Sequence, residues 1–170
     1  MKLIKIIQFK DLKPEDIEKF EVRRAARAVV FDNDKNIGIL YVGKYNYHKL
    51  PGGGLEGDES IEEALKRECL EEIGCNIEIF EELGEIIEYR DEWLLKQHSY
   101  CYLANMVGDK GRPDFTQKEI ETGFEIKWVS LEEAIKLLEN DKPEDYEGGF
   151  IQIRDGRFLK EAEKFLNKIL

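Results

Sequence analysis

The sequence predicts a mixed α/β domain, and three observations carry that expectation. Strand-like runs of β-branched and aromatic residues alternate with segments of helical periodicity. Ser60 with Glu63 and Ser130 with Glu133 form Ser-x-x-Glu signatures that open helices. The length of 170 residues, with 42% hydrophobic content, suffices for one sizeable core without disulfide or metal staples. No repeat, low-complexity tract or linker divides the chain, so residues 1–170 are expected to form a single domain.

Leu3 to Phe9 reads as a strand, and Pro14 to Phe20 as a short helix capped by Asp11. Arg24 to Phe31 and Ile37 to Val42 are further strands, joined by the turn Asp32-Asn33-Asp34-Lys35-Asn36. That turn resembles a calcium loop, but Ile37 stands where such a loop needs glycine and Gly43 where it needs its last glutamate, so a hairpin is expected. A helix begins near Ile61, packs inward through Ile61, Ala64, Leu65, Cys69 and Ile73, and ends at Gly74. Ile77 to Tyr89 and Lys96 to Val107 read as strands. Gly108 to Thr122 is polar and reads as a long loop, a feature often tied to function in compact domains. A strand ends at Trp128 and Val129, and Ser130 caps the helix that follows. Arg157 to Leu170 completes the pattern as an amphipathic helix burying Phe158, Leu159, Ala162, Phe165, Leu166 and Ile169.

The chemistry concentrates between Gly52 and Cys75. Glu68 lies three and four residues before Glu71 and Glu72, so on a helix the three carboxylates share a face. Crowded carboxylates repel, and shared divalent cations relieve the repulsion. Oxygen-only donors suit hard ions, Mg2+ first and Mn2+ second. A solvated acidic face is the ordinary alternative. Gly52, Gly53 and Gly54 favour the functional reading, because they let backbone approach a ligand closely, just before a helix N-terminus that attracts anions.

Gly53, Glu59, Arg67, Glu68, Glu71, Glu72 and Gly74 occupy every fixed position of a signature: Gly, five residues, Glu, seven residues, Arg-Glu, an aliphatic, any residue, Glu-Glu, any residue, Gly, and a final aliphatic. The segment thereby resembles the Nudix hydrolases. Only the two aliphatic positions depart, as Cys69 and Cys75, which substitute as small buried hydrophobes. Leu50-Pro51 and the stretch Phe124 to Glu133 also look like the family. The resemblance implies an α/β/α sandwich with a mixed central sheet. It further implies hydrolysis of a nucleoside diphosphate linked to another group, by metal-assisted attack of water on phosphorus.

By the same resemblance Glu68 and Glu72 are the expected metal ligands, with Glu71 and the Gly52 carbonyl supplementing them. Glu68 is the first candidate for activating water, and Glu119, Glu121 and Glu125 are later alternatives. Arg67 and Glu59 look like the pair that holds the loop against the helix. Arg27 is the strand residue expected to grip phosphate bidentately, against the alternative of a surface salt bridge. Tyr45, Tyr47 and His48 are candidates for stacking on a base or sugar, although aromatic residues beside a strand more often serve packing. Gly53 and Gly54 are expected beside the substrate. His98 is the weaker histidine, a hydrogen-bonded strand residue.

A net charge of −11 disfavours duplex nucleic acid and anionic membranes as partners, though not a small anionic substrate. Three cysteines without metal-binding spacing suit reduced thiols in the cytoplasm. The opening residues are too short and too interrupted by lysine for a signal peptide, and no stretch is long and apolar enough to span a bilayer. No proline lies between Cys75 and Arg112, where ADP-ribose-specific members tend to carry one. A nucleoside triphosphate, oxidised ones included, is therefore the favoured substrate. Nucleotide sugars, dinucleoside polyphosphates, non-nucleoside diphosphates and a non-catalytic nucleotide sensor are the alternatives. A homodimer is common in the family it resembles.

Overall fold

The computed structural model describes residues 1–169, with the side chain of Ile169 and all of Leu170, the end of the last expected helix, outside the described part. Seven strands form one mixed sheet: β1 (Leu3–Gln8), β2 (Glu21–Phe31), β3 (Ile37–Val42), β4 (Tyr47–Lys49), β5 (Asn76–Arg90), β6 (Leu95–Val107) and β7 (Phe124–Val129). Their order is β1-β5-β6-β2-β3-β4, with β7 on β3. The β1–β5 and β2–β6 pairs are parallel and the others antiparallel. The helices are α1 (Pro14–Ile17), α2 (Ile61–Ile73), α3 (Gln117–Glu121), α4 (Leu131–Asn140) and α5 (Tyr146–Ile169).

Strand alternation divides the core into two layers. Ala26, Ala28 and Val30 of β2 pack with Leu65, Cys69 and Ile73 of α2. Val29 and Phe31 of the same strand pack on the other face with Leu138 of α4 and Phe150, Phe158 and Leu159 of α5. The result is an α/β/α sandwich. Cys69 and Cys75 are fully buried in the α2 layer, and both are free thiols filling aliphatic positions.

Several element boundaries differ from expectation. The helix at Pro14 ends at Ile17, and its N-cap is Lys13 rather than Asp11. Glu21 to Arg24 extend β2 as exposed residues paired with Leu95 to His98, a polar stretch with no alternating apolar signal. The polar segment after Gly108 contains α3, whose capping box joins Thr116 and Glu119. The last helix starts at Tyr146, eleven residues before Arg157. Gly148, Gly149 and Gly156 lower helix propensity there, but a Cβ on Gly148 would lie 2.6 Å from the Tyr47 ring. Close packing thus requires glycine at that position.

β2 and β3 pair only at Phe31 and Ile37, beside the hairpin turn closed by the Asp32 carboxylate, and then diverge. The glycine loop fills the opening. Ala28 N–H donates to the Pro51 carbonyl at 3.1 Å, Ala26 N–H to that of Gly53 at 2.9 Å, and Leu55 N–H to that of Arg24 at 3.0 Å.

Candidate active site

The capping box at Ser60 and Glu63 starts α2, and Gly74 closes it in the left-handed conformation at φ 66°. This fixes the azimuth of Arg67, Glu68, Glu71 and Glu72. Arg67 organises the outer part of the cluster. It holds Glu59 bidentately, Nε to Oε1 at 2.8 Å and Nη2 to Oε2 at 3.0 Å, and donates from Nη2 to the Gly54 carbonyl at 3.2 Å. Its Nη1 donates to Glu68 at 2.9 Å and to Glu71 at 3.3 Å. Hydrogen bonding from Arg67 lowers Glu59 to about 2, and the same partner raises Arg67.

Glu72 is buried. Its Oε1 accepts from Lys49 Nζ at 2.6 Å and its Oε2 from Gly52 N–H at 2.8 Å. Burial raises its pKa, against the pull of Lys49 and Gly52. The glycines are geometrically required here. Gly52 has φ 133°, and a Cβ on it would sit 2.1 Å from the Ala26 carbonyl oxygen. The Cβ position of Gly53 lies 2.1 Å from Glu68 Oε1, so that carboxylate occupies a side-chain volume the loop leaves empty. Gly52→Ala is expected to destabilise the fold by about 2 kcal/mol, the scale of a strained backbone site, and to remove activity with it. Urea unfolding alongside turnover checks this; unchanged stability contradicts the close approach.

The donor set suits a hard divalent cation in kind, being carboxylate and carbonyl oxygen. Among the described residues no three Asp, Glu, His or Cys side chains converge as a ready cation cage. Arg67 and Lys49 engage the carboxylates instead, so a cation at Glu72 must compete with an ammonium 2.6 Å away.

Glu68, Glu72, Gly52, Gly53 and Gly54 line one cleft of about 700 Å³. Arg27, Tyr45, Tyr47 and Glu119 line it too. Arg27 is only 6% exposed; Nη1 donates to the Ala26 carbonyl at 3.2 Å, and Nε has no hydrogen-bond partner among the described residues. Burial, with Arg154 nearby, lowers its pKa to about 10. It is not the surface salt bridge that was the alternative.

Arg67 and Glu59, the pair described above, stand beside the cleft lining rather than in it, and Glu71, Glu121, Glu125 and His48 also fall outside. Glu71 is half-exposed on the flank of Arg67. Glu121 is exposed and bonded to Gln117, and Glu125 is exposed on β7. His48 faces away because β4 alternates: Tyr47 and Lys49 point into the cleft, while the His48 ring bonds Asp141 at 2.8 Å and approaches Lys127 Nζ at 3.2 Å. Glu119 is committed in part, its Oε2 accepting from Thr116 N–H at 2.7 Å and from Thr116 Oγ1 at 2.9 Å. Sequence reasoning missed Arg23, Lys49, Trp93 and Lys118, all in the lining. Of these only Lys49 carried a signal, sitting two residues from Tyr47 in an alternating run.

The fold is that of the Nudix class. A Nudix hydrolase from Nitrosomonas europaea superposes with a TM-score of 0.65 over 85% of this chain and 90% of its own, at 16% identity. The NUDIX domain profile matches residues 21–148, from the start of β2 into α5, and the chain belongs to that family. Among curated relatives, the chloroplastic Nudix hydrolase 21 of Arabidopsis thaliana is 38% identical over 96 residues, 54% of this chain and 43% of the relative. The chain thus spans less than half the length of that plant protein. Diphosphoinositol polyphosphate phosphohydrolase 3-beta of Bos taurus is 28% identical over 131 residues, 75% of each chain. Among the described residues, no helix is long and apolar enough to cross a membrane.

Proposed function

We propose that the protein hydrolyses the pyrophosphate linkage of a nucleoside diphosphate derivative, with nucleoside triphosphates, oxidised ones included, as the first substrates to test. The carrying observation is Arg27: a buried guanidinium with an unpartnered nitrogen, lining the same cleft as Glu68, Glu72 and the glycine loop. Such a group is costly to bury unsatisfied, and phosphate oxygens complete its hydrogen bonding.

Mg2+ or Mn2+ would be held by Glu68 and Glu72 with the Gly52 carbonyl, Glu71 supplementing from the flank, and when bound would supply positive charge for the non-bridging oxygens and the attacking water. The chain's own residues do the rest. Gly53 and Gly54 admit the pyrophosphate close to backbone. Arg27 and Arg23 bind its oxygens. Lys49, once exchanged from Glu72, stands in the same cleft as a further cation. Glu68 takes the proton from water, and Arg67 fixes the angle of that carboxylate while tying Glu59 to the loop. Glu68 is preferred over Glu119 because it stands on α2 one turn from Glu72, in the cleft beside the glycine loop, whereas Glu119 is held to Thr116 at the start of α3.

The reading treats residues 1–170 as one catalytic domain. Three buried free thiols support a reducing, cytoplasmic setting, and a homodimer is carried over from the family. A panel of nucleoside triphosphates, nucleotide sugars, dinucleoside polyphosphates and inositol pyrophosphates, run with Mg2+, Mn2+ and EDTA, tests the function. Metal-dependent release of phosphate or a nucleoside monophosphate is expected, with EDTA abolishing it. Glu68→Gln should remove turnover while Glu119→Gln leaves most of it. Binding without turnover across the panel would instead identify a sensing module.

A further inference from the structure

The hydrolytic chemistry leaves unused a second group of residues in the same cleft, contributed by the turn between β5 and β6 and by the start of α5. Trp93 is 49% exposed, yet it is held from two sides. The guanidinium of Arg90, only 1% exposed, lies 5.4 Å from the indole centroid. Arg90 is itself anchored to Glu88 and to Glu147, each at 2.9 Å, and lies 5.6 Å from the Phe150 ring. Tyr146 meets the indole at 5.4 Å with an interplanar angle of 66°. The Tyr146 hydroxyl donates to Asp91 Oδ1 at 2.9 Å and accepts from Glu92 N–H at 3.2 Å, which ties the turn to α5. A large flat ring is therefore fixed in place before any ligand arrives, and little ordering remains to oppose stacking on it.

Asp145 and Glu147 line the cleft with Trp93 and Tyr146. Each has one oxygen engaged: Asp145 Oδ1 accepts from Gly148 N–H at 2.9 Å, and Glu147 Oε1 from Arg90. Among the described residues, no side chain or backbone group of another residue donates to the second oxygen of either. Carboxylates repel phosphate, whereas Arg23, Arg27 and Lys49 attract it near the glycine loop. The lining thus differs in chemistry from element to element: β2 and β4 bring Arg23, Arg27 and Lys49, whereas the β5–β6 turn and the start of α5 bring aromatic and hydrogen-bond-accepting groups.

The geometry points to Trp93 and Tyr146 as the seat of an amino-bearing nucleobase, with Asp145 and Glu147 accepting from its N–H groups, at the substrate end away from the scissile pyrophosphate. This rests on the nucleotide reading above and deepens it. The substrate class becomes adenine, guanine or cytosine nucleotides in preference to uracil nucleotides, and to phosphorylated sugars or polyols that lack a base.

Calorimetric binding of AMP, UMP and ribose 5-phosphate to the full chain tests the assignment, using the wild type, Trp93→Ala and Trp93→Phe. AMP is expected to bind about tenfold tighter than ribose 5-phosphate, as stacking on an aromatic ring provides, with UMP between them. Trp93→Ala should erase that advantage, Trp93→Phe should keep most of it, and ribose 5-phosphate should bind all three proteins alike. Should the alanine variant not fold, Trp93→Gln takes its place. Equal affinity for AMP and ribose 5-phosphate, no AMP binding, or AMP affinity indifferent to Trp93 each overturns the base seat, even where the substrate panel shows hydrolysis. Trp93-dependent AMP binding without hydrolysis of any panel member would instead sink the enzymatic reading and leave the base seat standing.

Discussion

Glu72→Gln is expected to lower kcat by about a thousandfold, since metal-held charge at a transferring phosphoryl group contributes several kcal/mol. The substitution is nearly isosteric. The amide oxygen can still accept from Gly52 N–H or from Lys49, so the loop keeps its anchor. What disappears is the negative charge that draws a divalent cation into competition with Lys49. The loss should therefore come with a sharply raised Mg2+ requirement, and circular dichroism should keep the native fold while the thermal midpoint falls, because Lys49 loses its buried partner. Full turnover at ordinary Mg2+ would remove Glu72 from the ligand set, and global unfolding would assign it to the scaffold.

The largest effect on stability is expected at Glu88, which lies beneath the cleft. It is fully buried and accepts from Arg90 at 2.9 Å, Gln97 at 2.8 Å, Ser99 at 2.9 Å and Arg154 at 3.3 Å. Glu88→Gln removes the carboxylate that forms ion pairs with both arginines and should cost about 3–5 kcal/mol, the range for breaking a buried ion pair from one side. The pH dependence has a definite sign. Burial pushes the Glu88 carboxyl up, but Arg154 and Arg90 outweigh it and hold it at about 2, below the 4.5 of a free glutamate. A depressed carboxylate contributes fully above the unfolded-state value and loses its contribution as pH falls toward the folded one. Stability should thus drop between about pH 4.5 and 2 in the wild type, and more shallowly in Glu88→Gln. Parallel acid limbs in urea midpoints at pH 7, 4 and 3 would contradict this.

Legibility in the sequence followed the range of the interactions involved. α2 was readable to the residue, because its caps, apolar stripe and terminal glycine all lie within one short segment. β3 was equally clear. The first half of α5 was not, since its glycines argue locally against a helix, and the Tyr47 ring packed on Gly148 explains that glycine but not Gly156, where a Cβ would meet open space. Among the candidate site residues, Gly52, Gly53, Gly54, Glu68 and Glu72 line one cleft, whereas Arg67 and Glu71 of the same helix lie beside it. His48 lies outside the lining because the alternation of β4 turns Tyr47 and Lys49 to the cleft, and the sequence alone does not say which face of that strand the cleft takes. Trp93 and Arg23 carry no local signal because only the sheet topology brings them into one cleft. α3 was overlooked although Thr116 and Glu119 carry the same cap signature that identified α2.

The divergence of β2 from β3 has a consequence for how such a molecule can vary. The floor of the cleft is main chain, fastened rung by rung through Pro51, Gly53 and Leu55, and it leaves no room for a side chain at Gly52 or Gly53. The rim comes from three separately tethered pieces of chain: the turn at Asp91–Trp93, α3, and the first turn of α5. On the proposed assignment, reaction and selectivity would reside in different stretches of polypeptide, so the rim could be retailored for a new leaving group while α2 and the glycine loop stay untouched.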